Sequence, residues 1–410
     1  MARRRATRVV LVHYTSPRVL GGVEQVMGVH ARALSDAGAD VTIVAGRGAL
    51  PAALRGVRLV RIAEVDSKHP RVLRAFAELA KGRVPEDLAR LTDRIERALE
   101  PHVRRADRVV VHNGLTLHKN HALAAAFERL AARYPGRVIA WTHDLAWTDA
   151  QYDGELHDGE PWDRFRHALE GVRYVAVSEP RRDELAALMR LRAAAIAVVP
   201  NGVDVPAILG LSRPGAALAE RLGLYDADPL LLLPARLTRR KRVEAAIDAL
   251  RALRSRGTDA GLVVTGAPGA HNLGNQRYLA ELRERARGLD RAHVLYALGI
   301  RPSYRVIADL FALADAVVMP TGNEGFGIPL LEAALHRVPI VCTDLPTLRA
   351  LGRDDVTYLE PDADGDAIAR AVLRRLRADP EARLRSRAKR HAWPRVLAER
   401  VLPVILEGAA

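Results

Sequence analysis

Short, unbroken apolar runs recur along this chain, and stretches of amphipathic, helical character alternate with them throughout. Arg8-Val9-Val10-Leu11-Val12-His13-Tyr14 is the first such run, and Gln25 to Ala37 reads as the helix behind it. Gly38 closes that helix, and Asp40-Val41-Thr42-Ile43-Val44-Ala45 is the next run. Runs apolar at every position, not every second one, belong to strands buried on both faces, and alternation with helices points to parallel sheets. Further strands are expected at Val57 to Ile62, Asp107 to His112, Val138 to Asp144, Tyr174 to Ser178 and Ile196 to Pro200. Pro200-Asn201-Gly202-Val203-Asp204 reads as a turn and a boundary, after which the pattern starts again. Strands then follow at Pro229 to Leu233, Ala260 to Thr265, His293 to Ala297, Ala316 to Met319, Pro339 to Cys342 and Val356 to Leu359. The fold class is therefore α/β, and 410 residues suffice for two domains. The expected division is 1–203, 204–390 and a tail, 391–410, with an amphipathic helix from Trp393 to Leu406.

Composition narrows the function classes. The single cysteine, Cys342, excludes an internal disulfide and a cysteine-based metal site. It lies in an apolar run and is expected to be a small core residue. No apolar run approaches a membrane span, and the basic start Met1-Ala2-Arg3-Arg4-Arg5 is followed only by Val9 to Val12, too short for a signal peptide. The expectation is a cytoplasmic protein, with association at the inner membrane face as a second reading. The net charge of +14 is carried almost wholly by arginine, with only five lysines. Such a surface attracts phosphorylated substrates, anionic membranes or nucleic acid. With 4% aromatic residues and no zinc-finger or RNP-type pattern, no nucleic-acid partner is expected. Two Arg-rich amphipathic segments, Pro70 to Lys81 and Pro85 to Val103, fit packing on a sheet with a solvated basic face; weak peripheral membrane contact is the alternative. Asp362-Ala363-Asp364-Gly365-Asp366 lacks the EF-hand spacing and reads as a helix start, so no metal and no cofactor are expected.

The residues that carry chemistry gather where strands give way to helices. Asn323-Glu324-Gly325-Phe326-Gly327-Ile328-Pro329-Leu330-Leu331-Glu332 follows the Ala316 strand, and Pro329 suits the first turn of a helix. Gly325 and Gly327 permit close approach of a ligand to backbone, and free helix N–H groups favour an anion. Glu324 and Glu332 bracket the turn. Carboxylates repel phosphate, so these two suit hydroxyls, or else are ordinary surface glutamates. Arg236 leaves the end of the Pro229 strand and Lys241 begins the next helix, so both are able to point at one anion. Cations at a helix start oppose its dipole, which points to an anion such as phosphate, with plain surface charge as the alternative. Gly21 and Gly22 occupy the first strand-to-helix turn. His112, and His143 with Asp144, end strands at the carboxyl edge, where open α/β sheets bind ligands. From Asp144 to Asp163 the chain holds seven carboxylates and no Lys or Arg, together with Trp147 and Trp162. Asp144, Trp147 and Asp149 are candidates for binding a polar or amine-bearing ligand; a solvated loop with core tryptophans is the alternative.

Together these residues resemble the GT4 family of retaining glycosyltransferases with the GT-B fold. Glu324 and Glu332 stand in the family's E-x7-E arrangement and Arg236 and Lys241 in its R-x4-K arrangement; the Gly21-Gly22 loop, His143 and the Pro200–Asp204 junction are also similar. The resemblance covers nearly the whole chain. It implies two Rossmann-like domains facing across a cleft, the first holding the acceptor, the second the nucleotide-sugar donor, with the tail helix crossing back to the first. It implies that Arg236 and Lys241 hold the donor diphosphate, Glu332 the ribose and Glu324 the sugar. It places the amides of Gly325, Phe326 and Gly327 against sugar or phosphate, Gly22 against phosphate, His143 near the sugar, and the nucleobase near Leu298 and Gly299. The expected activity is transfer of a hexosyl-type sugar from a UDP or GDP donor to a hydroxyl of a small polar molecule or glycan, such as an aminocyclitol or sugar. A lipid or polysaccharide acceptor at the membrane surface, a GT-B-fold epimerase and a non-catalytic sugar-nucleotide binder are the competing readings.

Overall fold

In the computed structural model, which describes residues 5–268 and 274–407, the chain forms two compact units, Met1–Gly202 with Trp393–Ala410, and Val203–Ala392. The basic start at Met1 to Arg4 lies outside the described residues.

The first unit runs β1 (Arg8–Thr15), α1 (Gly22–Asp36), β2 (Asp40–Arg47), β3 (Arg58–Arg61), α2 (Pro70–Leu79), α3 (Leu88–Arg105), β4 (Arg108–His112), α4 (His121–Arg133), β5 (Val138–Thr142), β6 (Val172–Ala176), α5 (Glu179–Met189) and β7 (Ala197–Val198). Among the described residues the sheet order is β3-β2-β1-β4-β5-β6-β7, and every pairing is parallel. Both faces are covered, as unbroken apolar runs require. Val10, Val12, Val109 and Val111 pack with Ile95, Leu99, Phe127 and Leu130 of α3 and α4. Val9, Leu11, Val110 and Ile139 face the other way and pack with Met27 and Leu34 of α1.

The second unit runs α6 (Val205–Ile208), α7 (Arg213–Arg221), β8 (Leu230–Leu233), α8 (Val243–Arg254), β9 (Gly261–Val264), α9 (Gly274–Arg285), β10 (Ala292–Val294), α10 (Tyr304–Leu313), β11 (Ala316–Met319), α11 (Ile328–Leu335), β12 (Ile340–Thr343), α12 (Pro346–Gly352), β13 (Thr357–Leu359), α13 (Gly365–Ala378) and α14 (Pro380–Lys389). Its sheet order is β10-β9-β8-β11-β12-β13, again parallel. Cys342 lies fully buried on β12, and burial pushes its thiol up to about 12. Asp364 accepts from the Ala367 amide at 2.7 Å, so the acidic run caps α13. Lys389 at the end of α14 meets Asp315 at 2.6 Å, both under a tenth exposed, and Asp315 also accepts from the Leu230 amide at 2.7 Å.

Two expectations need correction. The strand expected over His293 to Ala297 stops at Val294, because β9, its ladder partner among the described residues, ends at Val264; Leu295–Leu298 instead form a 3-10 turn closed by Gly299 at φ 74°. The tail is α-helical only over α15 (Trp393–Val396) and continues in wider π-type turns over Leu397–Val401 and Pro403–Glu407. Pro403 has no N–H to give to a regular helix.

The tail is core to the first unit. Val396, Val401 and Ile405 are buried among the Val9, Leu11 and Val110 set. Trp393 lies against Gly202, where a Cβ would stand 2.4 Å from the indole. Ile405→Ala should therefore destabilise the first unit by about 2–5 kcal/mol in urea unfolding. An unchanged midpoint would show that the tail is only a surface strap.

Candidate functional site

In the second unit, β8 and β11 are neighbours at the point where the strand order reverses, the place where open α/β sheets build ligand crevices. The loops leaving them are stitched together. The Arg240 carbonyl accepts from the Gly322 amide at 2.7 Å and the Thr321 hydroxyl at 3.0 Å, while the Arg240 guanidinium donates to the Asn323 carbonyl at 3.0 Å. Lys241 Nζ lies 2.5 Å from Glu324 Oε2, and each side chain is only 12% exposed. Two residues that the resemblance gives to different groups of the donor, diphosphate and sugar, are thus in contact. Glu324 Oε1 accepts from the Gly325 amide at 3.2 Å, and its carbonyl accepts from Thr347 at 2.8 Å.

The remaining cations of this turn divide cleanly. Arg239 pairs with Glu281 at 2.7 Å, and Arg242 donates to the carbonyls of Pro361 and Ala363 at 2.6 and 2.8 Å. Arg236 is exposed, and its guanidinium has no ion-pair or hydrogen-bond partner among the described residues. It is the cation of this cluster open to an anion. Across the crevice edge, α11 begins at Gly327 with φ 101°, and no side chain caps it. A Cβ there would be strained and would also meet Leu348 Cδ2 at 2.9 Å, so Gly is required. Around Gly325 the space is open, and Phe326 is 58% exposed. Glu332, one turn into α11, is half-buried, and its Oε1 accepts from the Tyr304 hydroxyl at 3.1 Å, a bond that raises the phenol above its ordinary value. Leu298 is 52% exposed just before the left-handed Gly299.

The first unit has its own reversal point, between β1 and β4. Gly21 caps α1, and a Cβ on it would meet the Glu24 carboxylate, while around Gly22 nothing lies within 4 Å. Glu24 takes the Thr15 hydroxyl and faces His13 Nε2 at 3.7 Å. Burial opposes its ionisation, but the His13 and Thr15 bonds outweigh that and hold its carboxyl down at about 2. His143, at the end of β5, is 9% exposed, and desolvation lowers its imidazole to about 4. Its Nε2 lies 3.2 Å from His112 Nδ1. Asn113, in the left-handed region at φ 58°, accepts from the amides of His143 at 2.8 Å and Asp144 at 3.1 Å, and donates to the Asp144 carboxylate at 2.8 Å. Sequence reasoning gave no role to Asn113, Glu24 or Tyr304. The Asn113-Gly114 dipeptide after β4 is a turn signal that marks the first; for Tyr304 the sequence holds none.

The acidic segment is less open than its composition suggests. Trp141 and Trp162 are core residues, 1% and 4% exposed. Trp147 donates to the Trp162 carbonyl at 3.2 Å, and Arg166 covers its ring at 4.3 Å from the centroid. Arg166 also pairs with Asp158 and Asp163, Arg164 with Glu160, and Glu155 with His118 at 2.7 Å and Lys119 at 3.3 Å. Asp149 caps a 3-10 turn through the Gln151 amide at 3.0 Å, and Asp144 is exposed. Burial, then the charges of Asp144, Asp149 and Glu155, raise the Tyr152 phenol, so these groups converge on one ring.

Comparison with known proteins agrees in both halves of the chain. Residues 20–206 match the family model described as Glycosyltransferase Family 4, and residues 216–392 that of Glycosyl transferases group 1. A D-inositol 3-phosphate glycosyltransferase of Salinispora arenicola is 30% identical over 224 residues, 49% of this chain and 47% of that protein. Its counterpart from Xylanimonas cellulosilytica is 32% identical over 221 residues, 52% and 51% of the two chains. An alpha-D-kanosaminyltransferase of Streptomyces kanamyceticus is 34% identical over 181 residues, 44% and 43%. The chain spans about half the length of the curated relatives it matches.

Two outcomes follow from the geometry. Lys241→Met should cost the second unit about 3 kcal/mol by leaving the Glu324 carboxylate unpaired, and Lys241→Met with Glu324→Gln should recover most of it; equal losses in both would contradict the pairing. In the first unit, desolvation holds His30 and His121 at about 3 and His143 at about 4, below the 6.5 of an unfolded histidine. Between those values the unfolded chain binds more protons than the folded one, so stability is full above pH 6.5 and falls as pH drops towards 4 and 3. The urea midpoint should be lower at pH 5 than at pH 7.5.

Proposed function

Because the chain belongs to the GT4 family of glycosyltransferases, we propose that it moves a hexosyl group from a nucleoside-diphosphate sugar to a hydroxyl of a polar acceptor, with retention at the anomeric carbon. The observation that carries this reading is the convergence, on two adjacent strands, of the open Arg236, the Lys241–Glu324 pair and the uncapped start of α11. Arg236 and Lys241 hold the diphosphate, and the amides from Gly325 to Gly327 face it or the sugar. Glu332 reads the ribose, with Tyr304 holding one of its oxygens. The nucleobase lies by Leu298 and Gly299. Glu324 gives one oxygen to Lys241 and keeps lone pairs on the other for a sugar hydroxyl. Within the first unit, Gly22, with nothing within 4 Å of a Cβ there, and His143, at the end of β5, are the candidates for ligand contact.

Breaking the anomeric C–O bond leaves a nucleoside diphosphate that gains negative charge, and fixed cations and helix N–H groups stabilise that charge as it develops. The departing phosphate oxygen then takes the proton of the acceptor hydroxyl, which attacks from the same face.

For the acceptor, Asp144 and Asp149 supply negative charge beside Tyr152, while Glu155 is already occupied by His118 and Lys119. That favours an amine-bearing cyclitol or sugar, and the relatives named for an inositol phosphate support a cyclitol. Asp144→Asn with Asp149→Asn should raise KM for an amino acceptor about tenfold, and Glu155→Gln should not.

The test is a mass-spectrometric screen of nucleotide-sugars for binding and slow hydrolysis. One donor should bind and hydrolyse; Glu332→Ala should raise KM about tenfold for every sugar on that nucleotide, and Glu324→Gln should chiefly lower kcat. Absence of binding to any nucleotide-sugar would overturn the reading, and acceptor-free conversion to an epimer would replace it.

A further inference from the structure

Behind His143 stands a second imidazole that the proposed reaction does not use. His112 is wholly buried at the end of β4, with Nδ1 3.2 Å from His143 Nε2 and its own Nε2 without a partner among the described residues. Trp141 lies at 5.8 Å and His30 at 5.6 Å from it between ring centroids. Burial, and for His112 also the neighbouring imidazoles, keeps both rings neutral at pH 7. Two neutral imidazoles carry two protons on four nitrogens, and the 3.2 Å approach is a hydrogen bond only with one proton between the rings; its owner decides what His143 presents outward.

If His143 Nε2 carried it, His112 would have to bear its own proton on Nε2, as a buried N–H donor with nothing to receive it. If His112 Nδ1 carries it, the unpartnered His112 Nε2 is a bare acceptor. Orphaned buried donors are the rarer and costlier case. Resting on the transferase reading, we propose that His112 is a positioning residue: it donates Nδ1–H to His143 Nε2, which fixes His143 as the Nδ1–H tautomer and makes it a hydrogen-bond donor, not a base, toward the transferred sugar. The His143 main chain is fixed independently, by Asn113 at 2.8 Å, so the ring's proton placement is the one variable left to His112.

Two-bond 15N–1H spectra of the full chain labelled with 15N-histidine, with the His143 signals assigned by their loss in His143→Gln, test this directly. His143 should show a proton on Nδ1 and a bare Nε2; a proton on Nε2 overturns the proposal. His112→Asn, whose amide NH2 takes the place of Nδ1–H, should preserve that tautomer and hold kcat within about threefold. His112→Leu should give mixed tautomers and lower kcat about tenfold at unchanged donor KM, the effect of one lost hydrogen bond in the transition state. Equal kcat in the Leu and Asn variants would reduce His112 to packing. The tautomer is read without substrate, so its failure overturns the positioning role, whereas a donor never turned over overturns the transferase reading.

Discussion

Strands β8 and β11 lie side by side, and that adjacency makes one polar cluster from residues 83 positions apart in sequence. The parallel ladder sets the ends of both strands level, so the loops leaving them must share space. Arg240, Thr321, Gly322 and Asn323 satisfy each other's backbone groups there, and Lys241 and Glu324 are brought into contact as a result. The same geometry recurs in the first unit, where the turn after β1 and the ends of β4 and β5 bring Gly21, Glu24, His112 and His143 to one edge. In each sheet the candidate residues sit at the reversal of strand order.

Part of the chain's arginine content serves the fold itself. Arg137 donates to the carbonyls of Val103, Arg104 and Ala106, Arg242 to those of Pro361 and Ala363, and Arg254 to that of Ala260. These carbonyls lie where helices and strands end and lack ladder partners, and a guanidinium with five donors serves several at once. Charge counted along the sequence therefore overstates what faces solvent as an anion-binding surface. Arg236, which closes no such end, stands out only once its neighbours are seen to be engaged.

The alternation of apolar runs and helices made the fold legible, because full burial of a parallel strand leaves no polar position to obscure it. Arg236 and His143 were legible at strand ends, and Glu324, Glu332 and Lys241 at the turns and helix starts that follow strands. What spacing could not convey is partnership. That Lys241 meets Glu324, that Tyr304 holds Glu332, or that Asn113 ties the ends of β4 and β5 depends on which strands are neighbours, and a linear pattern does not state that. The acidic segment shows the opposite failure. Its composition isolates seven carboxylates, yet Arg164 and Arg166, just after the window, and Lys119, well before it, pair with four of them. The strand over His293 to Ala297 was overlong because an edge strand can be no longer than its single neighbour allows.

The tail from Trp393 onward supplies Val396, Val401 and Ile405 to a core otherwise made from residues before 203. On the ribosome, the first unit thus emerges with one face of its sheet still partly bare, and it stays so while all of the second unit is translated. The second unit is, in effect, an insertion that reaches its native contacts first. Quality control of this protein is then biased towards its final segment: a chain stalled before Ile405 presents a folded second unit beside an apolar surface that a chaperone or protease can recognise.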